Sequence, residues 1–311
     1  MSPSLVFMGT PDFSVPPLLE LHQKGYRISL VVTQPDRPQG RGQKMVVTPV
    51  KKAALDLGLD IIQPVRINEE DVVETIKALN PDFFVVVAFG QFLSQQLLSI
   101  PPLGSVNIHA SLLPAYRGAA PIHRAIINGE KTTGVSTMLM DQGMDSGDIL
   151  DCSKTDIFDH DTAESLHDRL ASMGAGLIIQ TLEKILAGAH RPQPQNPDLV
   201  SFAPMLSKKE GQIPWTRTSF ELDCFVRGMT PWPGAYTFIS DKRLKVYKIE
   251  VMDHSPGIIP GMVIRSTNGK LIVQAGKGAV SILEIQGASG KRMPVADFLR
   301  GFPINEGDMF S

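Results

Sequence analysis

The chain is poor in cysteine: Cys152 and Cys224 are the only two in 311 residues. They stand far apart and form no C-x-x-C pair, so neither a disulfide framework nor a thiolate zinc site is expected, and a reducing cytoplasm suits them. No uninterrupted apolar run is long enough to span a bilayer, and no basic start leads into an apolar segment. Neither a membrane anchor nor export is expected. His109, His123, His160 and His167 show no ligand spacing joined to a carboxylate partner, so no metal is expected. The turn after the first apolar run is Gly9-Thr10-Pro11-Asp12, not G-x-G-x-x-G. Pro and Asp there would block close approach of the backbone to a pyrophosphate, which argues against a dinucleotide-dependent dehydrogenase. There is no internal repeat and no low-complexity tract to alter a division into domains.

What is present is an ordinary globular composition, with 42% hydrophobic and 20% charged residues, and at this length two domains are expected in preference to one core. The net charge of −2 conceals a polarity: from Lys209 onward there are 13 basic and 10 acidic residues, against 17 and 22 before it. That suits a rear half meeting a polyanion, although solubility alone would account for it. Leu5 to Met8, Ile28 to Val32, Phe83 to Phe89 and Val106 to His109 read as buried parallel strands. Candidate helices at Pro16 to Lys24, Pro49 to Leu57 and Glu69 to Leu79 alternate with them. The alternation predicts a doubly wound, Rossmann-like α/β domain with a parallel sheet. Periodicity predicts a longer helix from Thr162 to Leu186, with Asp161 and Glu164 at capping-box spacing and Gly188 to end it. The Pro- and Gln-rich stretch that follows reads as a linker. Beyond it, Phe238, Leu244 to Tyr247, Met262 to Ile264, Leu271 to Val273 and Val280 to Ile285 predict a small five- or six-stranded β-barrel of oligonucleotide-binding type, with no further βαβ unit. The expected division is residues 1–188, a linker 189–208 and a C-terminal barrel 209–311.

The chemistry is concentrated in "VNIHASLLPAYRG" and "MLMDQGMDSGDI". Asn107 and His109 are two apart on a strand, so their side chains share a face at the end where open α/β sheets bind ligands. Val135 to Met140 reads as a further strand, and the glycine-containing loop Asp141 to Gly147 can return Asp145 to the same mouth. An amine attacking a formyl carbonyl must lose a proton while the carbonyl oxygen gains charge. An Asn amide suits the oxygen, and an imidazole paired with a carboxylate suits the proton, either as a relay through water or as a charge stabiliser. Singly, each residue is more often turn chemistry or a satisfied surface group. Together, N-x-H, S-L-L-P-x-Y-R-G and D-x-G-x-D-x-G-D resemble the signature of the folate-dependent formyltransferases. The resemblance implies 10-formyltetrahydrofolate as formyl donor and Asn107, His109 and Asp145 as catalytic residues. It also implies a folate pocket shaped by Phe89, Gly90, Gln91, Phe92, Leu93, Ser111, Leu112, Leu113, Pro114, Asp141 and Gly143, in which backbone groups bind the pterin.

That signature also serves enzymes that formylate ribonucleotides or amino sugars, and hydrolases that use water, so the acceptor must be read elsewhere. "TQPDRPQGRGQKM" sets Arg37, Arg41 and Lys44 beside one acid, Asp36, in a Pro- and Gly-rich loop expected to be a flexible basic finger without regular structure. Such loops contact phosphates, although a solvated surface loop is their commoner fate. With "FMGTPDFSVPPLL", "LSKKEGQIPW" and "MTPWPGAYT", it resembles the methionyl-tRNA formyltransferase family across nearly the whole chain. The acceptor implied is aminoacylated initiator tRNA, met by Arg37, Arg41, Lys44, Lys208, Lys209 and Lys245, with Arg217, Lys242, Arg243 and Lys248 as further phosphate candidates. Met205 departs from that family's pattern, which has a basic residue ahead of the Leu-Ser-Lys run. A monomer is expected. A non-catalytic RNA-binding protein would use the barrel and the loop but leave Asn107, His109 and Asp145 without purpose.

Overall fold

The computed structural model describes residues 3–39, 42, 44–252, 259–267, 269–288 and 290–311. Its strands are β1 (Ser4–Gly9), β2 (Arg27–Val32), β3 (Arg37–Gln39), β4 (Lys44–Val46), β5 (Ile61–Ile62), β6 (Phe83–Val87), β7 (Ser105–His109), β8 (Thr132–Leu139), β9 (Ile149–Asp156), β10 (Ala235–Ile239), β11 (Lys242–Met252), β12 (Val263–Thr267), β13 (Lys270–Gln274), β14 (Ala279–Gln286) and β15 (Met293–Pro294). The α-helices are α1 (Val15–Gln23), α2 (Pro49–Asp56), α3 (Glu70–Ala78), α4 (Gln95–Leu98), α5 (Pro121–Ile127), α6 (Ala163–Leu186), α7 (Ser219–Met229) and α8 (Val295–Gly301). Two compact units result. Met1–Gly118, Thr132–Asp156 and His167–Ala203 form the first, and Ala119–Lys131, Ile157–Leu166 and Pro204–Ser311 the second.

The first unit is built on a seven-stranded sheet ordered β5-β2-β1-β6-β7-β8-β9. From β5 to β7 every pairing is parallel, as the apolar runs predict. The chain steps outward from β1 through β2 to β5, then returns across β1 to β6 and β7. The reversal falls between β1 and β6, the position at which doubly wound sheets bind ligands beyond their strand ends. The Thr10 hydroxyl donates to the Phe89 carbonyl at 3.1 Å and ties the two loops there. β6 ends at Val87 because Ala88 turns to a φ of +45°. Val6, Met8, Leu30, Val32, Phe84 and Val86 pack on one face with Val73 and Ile76 of α3 and Leu97 of α4. On the opposite face α6 comes close through Gly174, where an added Cβ would lie 3.0 Å from Ile108. Ile108 therefore faces α6, and Asn107 and His109, one residue to either side, face the other way.

Two features of this unit differ from expectation. The sheet is mixed: β8 runs antiparallel to β7, and β9 antiparallel to β8. β9 is polar and half-buried at the sheet edge, so it carries no apolar run by which to be recognised. The basic loop is not irregular: β3 and β4 pair as a two-stranded antiparallel ribbon in the register Arg37–Val46, Pro38–Met45, Gln39–Lys44. Pro38 is tolerated because a two-stranded ribbon has only edge strands, where a missing N–H need cost no ladder bond.

Helix α6 begins as predicted but with a different cap. The Thr162 hydroxyl accepts from the Ser165 N–H at 3.3 Å, and the Ser165 hydroxyl accepts from the Thr162 N–H at 3.0 Å. Asp161 instead turns its carboxylate back to the Phe158 N–H at 2.8 Å. Gly188, at φ +63°, closes the other end: its N–H reaches the Ile185 carbonyl at 3.0 Å, and that of Ala189 reaches Lys184 at 2.8 Å.

The second unit is an antiparallel sheet ordered β10-β11-β14-β13-β12, with β15 added beside β14. Its two edges meet the same C-terminal segment. Phe238 of β10 exchanges backbone bonds with Ser311 at 2.8 and 3.0 Å, while Val263 of β12 donates to the Asp308 carbonyl at 2.8 Å. The sheet is thereby closed into the expected barrel. Trp215, Leu244, Val246, Val273, Ile282, Ile285 and Phe310 fill it, and the Trp215 indole N–H is satisfied by the Thr237 hydroxyl at 2.9 Å. Helices α7 and α8 were not expected. The signal for α7 is present in the sequence, since Thr218 and Glu221 make a full capping box. α7 packs closely on α5 at Gly228, where a Cβ would lie 2.6 Å from Ile127. Among the described residues no helix is long and apolar enough to cross a membrane.

Candidate active site

Strand β7 ends in two polar side chains where an apolar strand would be cheaper: Asn107 is 8% exposed and His109 6%. Buried polar groups persist when they are bonded or used. The His109 Nε2 lies 2.9 Å from the Tyr116 carbonyl oxygen. A carbonyl only accepts, so Nε2 carries the hydrogen and the neutral ring keeps its lone pair on Nδ1. Nδ1 faces the Asp145 carboxylate, with Oδ2 at 3.6 Å. A hydrogen on Nδ1 would point at this carboxylate.

Asp145 reaches this position by an indirect route. Because β8 is antiparallel to β7, the chain leaves it beside the start of β7, with the Met140 N–H on the Ser105 carbonyl at 2.8 Å. The loop must then double back to reach His109. Asp141 folds it by accepting from the Gly143 N–H at 3.0 Å and from the Ser146 hydroxyl at 2.8 Å. Gly147 is forced to be glycine, since a Cβ there would strike the Leu139 carbonyl. Asp145 sits at φ +51°, a left-handed conformation that costs an L-residue energy and persists only where its surroundings impose it. They do: its Oδ2 accepts from the Gly118 N–H at 2.8 Å, and its carbonyl accepts from the Gln195 Nε2 at 2.8 Å.

Several of these supports lie outside the sequence-predicted set. The Ser136 hydroxyl, on β8 and wholly buried, donates to the Ser111 carbonyl at 2.7 Å and accepts from the Leu113 N–H at 3.0 Å. It fixes the Ser111 to Pro114 turn. The stretch read as a linker is attached to the first unit: Gln193 pairs with Ile149, and Phe202 with Arg117. Among the remaining predicted folate residues, Phe89 and Leu93 belong to the core. The Phe89 carbonyl also accepts from Gln34 Nε2 at 3.3 Å. The Gln91 amide accepts from the Ile67 N–H at 2.8 Å. Gly90, at φ +85°, and Phe92, 66% exposed, complete this loop beside the reversal point of the sheet.

The predicted basic contacts fall in two places. On the ribbon, Arg37 and Lys44 are exposed, and Arg37 donates to the Gln34 side chain at 3.3 Å. Arg41 lies outside the described residues. Asp36 is engaged by Lys51 at 2.6 Å and by Gln63 at 2.8 Å, and these bonds hold its carboxyl below the usual range. In the second unit Lys208 and Lys209 lie on a short 3-10 turn, Lys208–Gly211, and the Tyr236 hydroxyl donates to the Lys209 carbonyl at 3.3 Å. Lys245 pairs with Tyr236 across β10 and β11, and the Arg243 guanidinium lies 3.6 Å from the Tyr236 ring centroid. Arg243 and Lys245 thus lie beside one aromatic ring, whose hydroxyl meets the backbone of Lys209. Among the described residues no cluster of His, Cys, Asp and Glu is arranged for a metal.

Comparison with known proteins agrees with this geometry. The family "Formyl transferase" matches residues 4–182, and "Formyl transferase, C-terminal domain" matches residues 205–303. A methionyl-tRNA formyltransferase of Pelobacter propionicus is 48% identical over 308 residues, covering 99% of this chain and 96% of its own length. One from Thermodesulfovibrio yellowstonii is 45% identical over 312 residues, with full coverage of both. Among solved structures, WlaRD, a sugar 3N-formyl transferase in the presence of dTDP and 5-N-formyl-THF, has a TM-score of 0.66 at 20% identity. It matches 94% of this chain and 100% of its own. Full-length identity at this level, joined to both halves of the family's architecture, shows that the chain belongs to the methionyl-tRNA formyltransferase family.

Proposed function

We propose that the protein transfers the formyl group of 10-formyltetrahydrofolate to the methionine amino group of methionyl-initiator tRNA, giving N-formylmethionyl-tRNA for translation initiation. In this reading residues 1–188 carry the chemistry and the barrel, residues 209–311, holds tRNA across the connecting segment 189–208. The enzyme works as a monomer in the cytoplasm, without a metal. The observation that carries the reading is the alignment of Tyr116, His109 and Asp145, which leaves His109 Nδ1 open toward a carboxylate oxygen 3.6 Å away.

The amine attacks the formyl carbon beside β7. As the carbon–nitrogen bond forms, the carbonyl oxygen gains charge, and the Asn107 amide donates to it. One such donor contributes about 10²–10³ in rate. The proton leaving the amine passes to His109 Nδ1, and Asp145 stabilises the imidazolium. The intermediate collapses by breaking the bond from the formyl carbon to the folate nitrogen, which takes up the proton and departs as tetrahydrofolate. The pterin is bound by backbone groups of Phe89 to Leu93 and of the loop Asp141 to Asp145, beside Ser111 to Pro114. Arg37, Arg41 and Lys44 of the ribbon, with Lys208, Lys209 and Lys245, supply phosphate contacts, which add affinity but do not read sequence.

The test is transfer of labelled formyl from 10-formyltetrahydrofolate to methionyl-initiator tRNA, with methionyl-elongator tRNA and an acceptor-free reaction alongside. Transfer to the initiator alone supports the reading. Release of formate without acceptor would point to a hydrolase, and activity only on an amino sugar or ribonucleotide would move the acceptor.

A further inference from the structure

Gln195 lies between the two regions that match the formyl transferase family, residues 4–182 and 205–303. Its side chain nevertheless reaches back to the reaction loop. Nε2 donates to the Asp145 carbonyl at 2.8 Å and to the Gly147 carbonyl at 2.7 Å. Oε1 accepts from Arg117 Nε at 3.0 Å and from Arg117 Nη2 at 2.7 Å. Both amide hydrogens and both oxygen lone pairs are engaged, so the amide has one orientation only: reversed, it would set its N–H groups against a guanidinium and its oxygen against two carbonyls.

Arg117 is itself fixed by the same strap. Its N–H donates to the Ser201 carbonyl at 2.8 Å, and its carbonyl accepts from the Ala203 N–H at 2.7 Å. The Ser201 hydroxyl accepts from the Tyr116 N–H at 2.9 Å, and the Tyr116 carbonyl is the group that anchors His109. One segment, residues 193–203, therefore secures both neighbours of the imidazole, Tyr116 through Ser201 and Asp145 through Gln195.

We propose that Gln195 is a positioning residue for formyl transfer: by binding the carbonyls on either side of Ser146, it holds Asp145 in its left-handed conformation and its carboxylate toward His109. The inference rests on the assignment of Asp145 and His109 to the reaction. Gln195→Glu separates this role from mere packing, because it preserves shape and the pairing with Arg117 but turns a carboxylate oxygen against two carbonyls. Formyl transfer is measured as kcat and KM for both substrates, with thermal unfolding as the folding control. The expected result is a kcat about 10- to 100-fold lower, the cost typical of a reacting group displaced by about 1 Å, with both KM values within about threefold of wild type.

Placed in an Asp145→Ala background, the same substitution should lower kcat no further, since residues acting through one another are not additive. Gln195→Met, which removes the bonds without adding charge, should repeat both results and serves if the Glu variant does not fold. Unchanged kcat in these variants, or a loss that multiplies with that of Asp145→Ala, would overturn the proposal. Near wild-type turnover in Asp145→Ala alone would instead overturn the assignment on which it rests.

Discussion

The loop that carries Asp145 and the ribbon that carries Arg37 both extend from strand ends of the same unit, and they are built in opposite ways. In the loop, Asp141 binds Gly143 and Ser146, Gly118 binds Asp145, and Gln195 binds two carbonyls. In the ribbon, Lys44, Met45 and Val46 are exposed, and three paired residues on each side hold the strands together. A carboxylate that must meet an imidazole at one moment of a reaction loses rate steeply with small displacements. A cation that meets a phosphate needs reach and charge, and a fixed geometry would add little. On the proposed reading, chemistry and recognition thus demand different degrees of order from an acidic and a basic segment of one unit.

The largest effects should come from the ordered side of that contrast. Asn107→Ala, His109→Ala and Asp145→Ala are each expected to lose about 10²-fold or more in kcat, by analogy with the loss of a single oxyanion donor, while unfolding at temperatures near that of wild type. Single-turnover formyl transfer and thermal melts check this. Near-normal rates in all three would leave the buried polar end of β7 without a purpose. Next in size is Gly147→Ala. Its added methyl meets backbone, not a movable side chain, so the loop must shift. A kcat lower by about tenfold or more is expected, with tRNA affinity unchanged in a filter-binding titration. An effect confined to stability would mean that the loop tolerates displacement and that its order is incidental.

How far the sequence reveals each region follows from the range of the contacts involved. Strands β1, β2 and β6 are legible because a strand buried on both faces is a near-continuous apolar run, and β7 because Val106 and Ile108 keep an apolar residue at alternate positions. Asn107 and His109 are legible because a spacing of two on a strand fixes a shared face. The edge strand β9 is polar enough to be missed, and the β3–β4 ribbon is hidden behind its Pro and Gly content. The supports of the site are harder still. Ser136 acts on a loop 25 residues away and Gln195 on one 50 residues away, and nothing local marks a Ser in a strand or a Gln in a Pro-rich stretch as structural. The cap of α6 shows the same limit at short range: Asp161-x-x-Glu164 and Thr162-x-x-Ser165 both offer plausible spacing, and the choice fell on Thr162 because Asp161 is committed to Phe158.

The exposed side of the contrast predicts smaller, salt-sensitive effects. Arg37→Ala, Lys44→Ala, Lys209→Ala and Lys245→Ala should each raise the KM for tRNA a few-fold and reduce the slope of log affinity against log salt by about 1 for each phosphate that is no longer neutralised. The KM for folate should not move. Titrations at several salt concentrations decide this, and equal losses for both substrates would show that the ribbon and the Tyr236 cluster are structural.

The smallest effect concerns whether the second unit orders its lysines at all. The turn Lys208–Gly211 is closed by Glu210, whose carboxylate accepts from the Ser207 N–H at 2.8 Å and from Arg124 Nη2 at 2.7 Å. Burial works to raise the Glu210 pKa, but the bonds to Arg124 and Ser207 outweigh it and hold the carboxyl below the usual range. A carboxylate whose pKa is lowered by folding contributes stability above its unfolded value, about 4.3, and that contribution fades as pH falls through the lower folded value. The side chain is 38% exposed, so solvent screens the pair and the contribution is modest. Thermal melts of wild type and Glu210→Gln should therefore differ by a small, constant margin near neutrality and converge as pH falls below about 4. If they differ and converge in this way, and Glu210→Gln also raises the KM for tRNA, the lysines depend on a formed turn and the contrast with the reaction loop is one of degree. If stability changes while tRNA binding does not, the recognition surface works by charge alone.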